Sequence, residues 1–116
     1  MTTAELKDRT KKFALTIIKL CNEIPSSKSG DVISNQIIRS GTSVGANYRA
    51  AIRSRSKAEF ISKLNIVQEE ADETLYWLEL LMETKLIDEK NLTAIMKEAN
   101  ELVSIFTSSL KTLKNK

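Results

Sequence analysis

The sequence predicts an all-α protein, an antiparallel up-and-down four-helix bundle forming a single domain over residues 1–116. Three observations lead there. One Pro and three Gly in 116 residues leave few breaks in the chain. Apolar residues recur every three or four positions in four separate stretches. The stretches are joined by short connections, which favour antiparallel neighbours. No strand pattern, internal repeat or linker interrupts them.

The first helix is expected from about Thr3 to Glu23, with Leu6, Phe13, Ile17, Leu20 and Ile24 on one face. Pro25 disfavours helical backbone at Ile24 and ends the helix, and Ser26 to Gly30 reads as a short loop. The second helix is expected from about Asp31 to Ile52. Ile33, Ile37, Val44, Tyr48 and Ala51 share a narrow arc, with Gly41 and Gly45 on its edge beside Ile38 and Ile52. Each interior glycine costs about 1 kcal/mol relative to alanine. A neighbouring helix packed closely at Gly41 and Gly45 would offset that cost; a local bend is the alternative.

Ser56-Lys57-Ala58-Glu59 reads as a capping box opening a third helix that runs to about Thr84. Its core stripe is Phe60, Leu64, Val67, Ala71, Leu75, Leu78 and Met82. Asp88 is expected to cap the fourth helix. There Leu92, Ile95, Ala99, Leu102, Phe106, Leu110 and Leu113 step by three and four. The tail Lys114-Asn115-Lys116 is expected to fray.

Composition excludes several classes of protein. With 41% hydrophobic and 28% charged residues the chain can fold and is not disordered by composition. Cys21 is the only cysteine, so no intramolecular disulfide forms; it reads as a small residue at the core edge. No run is apolar enough for a membrane span or a secretory signal, and the expected location is cytoplasmic. There is no His, hence no common general base. Glu69, Glu70, Asp72 and Glu73 resemble a carboxylate cluster but face away from the core stripe, and a di-iron bundle would need inward Glu-x-x-His pairs. No phosphate loop, nucleophile elbow or paired-cysteine zinc motif occurs. The expectation is a protein that is not an enzyme and needs no metal or cofactor.

The net charge of +3 hides strong sorting. From Arg39 to Lys63 six basic residues face one acid, and from Glu69 to Glu83 six acids face no base. Arg39, Arg49 and Arg53 fall within about 80° of one another on the second helix, at about 100° per residue. Arg55 and Lys57 extend this patch into the turn, and Lys63 adjoins it. Guanidinium forks match phosphate oxygens, so these six are the candidate nucleic-acid contacts. A solvated helix face, or docking onto the acids of a neighbour, is the competing reading. The third helix carries a second apolar line, Ile66, Trp77 and Leu80 with Tyr76 nearby, flanked by Glu73, Glu69 and Glu70. Apolar surface beyond the core marks an interface, and Trp and Tyr are favoured anchors. Self-association is expected there, head to tail, closing into a ring. A wide face covered by loops and tails would be the alternative.

Two segments carry a resemblance. Gln36-Ile37-Ile38-Arg39 followed by Ser43-Val44-Gly45-Ala46-Asn47, then Arg55-Ser56-Lys57-Ala58-Glu59-Phe60 leading to Leu64 and Glu73, resemble the proteins encoded within intervening sequences of bacterial 23S ribosomal RNA genes. The likeness covers roughly Leu6 to Ile87. The accessory variability determinants of diversity-generating retroelements look similar in the same stretch. The resemblance implies a four-helix bundle that assembles as a ring-shaped pentamer. By analogy with the retroelement group, it implies that the partners are nucleic acid and a nucleic-acid enzyme such as a reverse transcriptase. By position, Arg39, Arg49, Arg53, Arg55 and Lys57 would carry that role. Where many members have Asn-x-Ala-Glu-Gly, this chain has Asn47-Tyr48-Arg49-Ala50-Ala51, so its second helix should run longer and its surface should be more basic. The first functional expectation is therefore an accessory RNA-binding oligomer, and the second a structural or protein-interaction module.

Overall fold

A computed structural model describes residues 1–115; the end of the tail, Lys116, lies outside the described residues. The helices are α1 (Thr3–Glu23), α2 (Lys28–Ala51), α3 (Lys57–Thr84) and α4 (Lys90–Lys114), with no strand among the described residues. The Thr2 hydroxyl caps α1 by accepting from the Glu5 N–H at 3.1 Å. Extended backbone at Ile24, before Pro25, ends it. Helix α2 starts three residues earlier than expected, because Ser27, assigned to the loop, is its cap and accepts from the Gly30 N–H at 2.9 Å. Ser56 caps α3 as expected, accepting from Glu59 N–H at 3.1 Å. The reciprocal half of the box is replaced: the Glu59 carboxylate pairs with Lys63 at 2.9 Å, and that contact lowers its pKa. Asp88 accepts from the Lys90 N–H at 3.2 Å, one residue before the helix-entry position at Glu89. Lys114, expected to fray, is the last residue of α4.

Contacts between helices fix the topology. Thr10 lies against Gly45, Ile17 against Gly41, and the Cys21 thiol bonds the Ser34 carbonyl, so α1 and α2 run antiparallel. Gln68 reaches Thr107 and Lys114 reaches Asn65, so α3 and α4 do too. Helix α2 packs on α1 and α3, and α4 packs on α3 and α1. The α1–α4 seam is the lightest, and Arg9 closes it with a two-point bond to Glu98 (2.7 and 2.6 Å) and a third to Glu101 (3.1 Å). The result is a rod of 46 × 21 × 19 Å.

The core faces of α1, α2 and α4 follow the sequence pattern. Helix α3 is rotated relative to expectation: Thr74 and Leu81 are fully buried, whereas Leu75, Met82 and Phe60 are only partly so. The cause is its packing on α2. Thr74 donates to the Ser40 hydroxyl at 2.9 Å inside the core, and Ser40 bonds back to the Gln36 carbonyl at 2.8 Å. A buried hydroxyl without a partner would be costly, so this pair turns the Thr74 side of α3 inward. Across the bundle, the rings of Tyr48 of α2 and Phe106 of α4 meet at 5.6 Å between centroids, tilted by 46°, and join diagonal helices.

Cys21 sits at the core edge as expected, and burial raises its thiol pKa. A raised folded-state value means the group stabilises fully below the unfolded pKa and loses that contribution as pH rises through the folded one. Alkylation by iodoacetamide at a pH of about 8.5, the usual thiol pKa, is expected to be at least tenfold slower in the native protein than in denaturant. Equal rates would show an accessible thiol.

Candidate nucleic-acid interface

Four of the six candidate cations are free. Arg49 lies in the last turn of α2, Arg53 and Arg55 lie in the turn after it, and Lys57 opens α3; all four are exposed. None has an acidic partner within bonding distance among the described residues. The turn is held by its own backbone, with Arg53 N–H to Ala50 O at 3.2 Å and Ser54 N–H to Ala51 O at 3.0 Å.

The other two are engaged. Arg39 points toward α3, where it bonds Glu70 at 3.1 Å and also Glu73, while its Nε donates to Gln36. Lys63 pairs with Glu59 on the next turn. Arg39 and Lys63 hold charges of their own chain, which leaves Arg49, Arg53, Arg55 and Lys57 as the unpaired members of the expected six-cation patch among the described residues. Glu70 and Glu73, expected beside a neighbour's basic segment, bond Arg39 of their own chain, and Glu69, Asp72, Glu79 and Glu83 of the α3 run have no ion-pair partner among the described residues.

A feature that sequence reasoning missed lies beside Arg49. A groove of about 470 Å³ runs between α1 and α2, with Lys7, Lys11 and Arg49 on its rim. Ala14, Gly45 and Ala46 line it as well. Gly45 explains the closeness of the two helices: a Cβ there would lie 3.2 Å from the Thr10 carbonyl oxygen. Gly41 is tighter still, at 2.8 Å from Ile17 Cγ1. The glycine pair therefore marks the α1 contact. The signal for the lysines was the four-residue spacing of Lys7 and Lys11, but nothing in the sequence placed them opposite Arg49.

On α3, Ile66 and Tyr76 are exposed, at 42% and 54%. Trp77 and Leu80 are half-buried. Trp77 packs partly on the core and donates its indole N–H to Glu73 at 3.2 Å, with the Tyr76 ring edge-on at 5.4 Å. The ring most available to a partner is thus Tyr76, and Trp77 supports it. Leu15, Ile18 and Val32 form further exposed apolar surface near the other end of α1 and the start of α2.

Geometry defines the class first: a four-helix bundle whose distinguishing features are charge-sorted outer faces. The chain belongs to the 23S rRNA-intervening sequence protein family, whose model matches residues 3–108. A crystal structure of a protein of unknown function from the S23 ribosomal protein family, from Bacteroides thetaiotaomicron VPI-5482, is similar to it at 40% identity and a TM-score of 0.86, covering 96% of this chain and 99% of that one. No curated protein matches the chain significantly.

Proposed function

We propose that this bundle is a non-enzymatic accessory factor of the cytoplasm that assembles with copies of itself, as a pentameric ring, and binds structured RNA. The observation that carries the reading is the unpaired cluster Arg49, Arg53, Arg55 and Lys57 at one end of α2. Such cations, repeated by symmetry, suit the phosphate backbone and release counterions on binding. Exposed Ile66 and Tyr76, beside acids left free on α3, suit the self-contact. The resemblance to the accessory proteins of diversity-generating retroelements adds a nucleic-acid enzyme such as a reverse transcriptase as a further partner.

The test is RNA affinity against salt, with duplex DNA alongside, on protein whose mass in solution is recorded in the same buffer. Log affinity should fall steeply as log salt rises, by about 0.7 to 0.9 per phosphate contacted. Reversing Arg49, Arg53 and Arg55 to Glu should abolish binding without changing the mass. An intact oligomer that binds no RNA at low salt would sink the reading. A protein-interaction module is the second reading, favoured by the free acids on α3. In that case the same reversals would break the oligomer. Tyr76→Ala with Ile66→Ala should lower the mass under either reading, and a fully assembled double variant would remove this face from the interface.

A further inference from the structure

We infer that the α1–α2 groove is a phosphate cradle, in which Lys7, Lys11 and Arg49 hold the phosphodiester backbone of a nucleic acid over a floor of Ala14, Gly45 and Ala46. The inference deepens the proposed function and rests on it. It moves the footprint from α2 and the following turn onto α1, which the basic-segment pattern did not include.

Charge availability is the first support. Several cations near these faces are paired: Arg9 with Glu98 and Glu101, Lys12 with Asp8, Arg39 with Glu70 and Glu73, Lys63 with Glu59, whereas Lys19, Lys28 and the turn cations Arg53, Arg55 and Lys57 are not. Lys7, Lys11 and Arg49 meet no acid within bonding distance among the described residues. The acid that adjoins Lys7 in sequence, Asp8, holds Lys12 at 2.9 Å. Helix α2 has a single acid, Asp31, which lies about 27 Å along the axis from Arg49 at about 1.5 Å per residue. A concave site bordered by one sign of charge concentrates the field.

Shape is the second support. Gly45 lets α1 and α2 approach closely, and Ala14 and Ala46 add only methyl groups, so the floor is low and the long cationic side chains stand above it. Thr42 also lines the groove, but its hydroxyl donates to the Ile38 carbonyl at 2.6 Å. No aromatic ring lines it, and Tyr48, the only ring of α2, is buried. Base stacking needs an exposed ring. The groove is therefore suited to backbone phosphates, read without regard to sequence.

The experiment measures binding of a short fluorescein-labelled RNA hairpin over a salt series, with solution mass recorded. In Lys7→Ala with Lys11→Ala, the salt slope should fall by about 1 to 2 and low-salt affinity by at least tenfold, with mass unchanged. Ala46→Leu, at an exposed position, fills the groove without changing charge and should also weaken binding severalfold. Arg53→Ala with Arg55→Ala is the comparison. If only that pair weakens binding, the cradle is wrong and the proposed function stands. If Ala46→Leu binds normally, the lysines act as diffuse charge and the cradle is wrong. A drop in mass for the lysine variant would make the groove an assembly surface and overturn the inference. Absence of wild-type binding would overturn the proposed function along with it.

Discussion

Phe106→Ala is expected to destabilise the protein by about 3–5 kcal/mol, the range for truncating a buried aromatic to alanine. Phe106 is fully buried, and its ring contacts Tyr48 at 5.6 Å across the bundle. Removal leaves a cavity between α2 and α4 that the flanking helices cannot close, because each is already fixed by two neighbours. The aromatic contact adds about 0.5–1.5 kcal/mol beyond area burial. Small domains hold only about 5–15 kcal/mol in total. The variant should therefore melt at least about 10 °C lower. Urea titration and a thermal scan would check this. A loss below about 1 kcal/mol would mean that the diagonal contact does not hold the bundle.

Gly41→Ala should destabilise even though alanine is the better helix former by about 1 kcal/mol. Its Cβ would sit 2.8 and 2.9 Å from the two γ-carbons of Ile17 and 3.2 Å from its Cβ. Ile17 is fully buried and has nowhere to move. Overpacking of this kind costs about 1–3 kcal/mol. Ile17→Ala alone should cost about 2–5 kcal/mol. In that background Gly41→Ala is expected to become stabilising, since the new methyl fills space that Ile17 vacated. The sign reversal across a double-mutant cycle is the diagnostic. If Gly41→Ala stabilised the wild-type protein, α1 and α2 would not be in the close contact that the glycines imply.

Charge assignments were less legible in the sequence than the fold. The Arg39-to-Lys63 segment is strongly basic, and Arg39, Arg49 and Arg53 lie close together on a helical wheel. Yet Arg39 turns toward Glu70 and Glu73, while Arg49 turns toward α1. A wheel gives the angle of a side chain about its own axis. It does not say which helix stands at that angle or what charge that helix presents there. The same blindness hid Lys7 and Lys11, which acquire meaning only when antiparallel packing sets them opposite Arg49. Trp77 is a related case. Its offset from the core stripe marked it as an interface anchor; the structure half-buries it against the core and leaves Tyr76 more open.

By itself the sequence determined four helices, the Ser56 cap of α3, the apolar faces of α1, α2 and α4, and a need for close approach at Gly41 and Gly45. These are local properties, set by backbone propensity, hydroxyl caps and a period of about 3.6 residues. Tertiary structure alone decided the rotation of α3 about the Ser40–Thr74 hydroxyl pair, the pairing of Arg39 with Glu70 and Glu73, and the groove between α1 and α2. Each of these depends on the register between helices distant in sequence. That register comes from packing and from satisfying buried polar groups, which involve both partners at once.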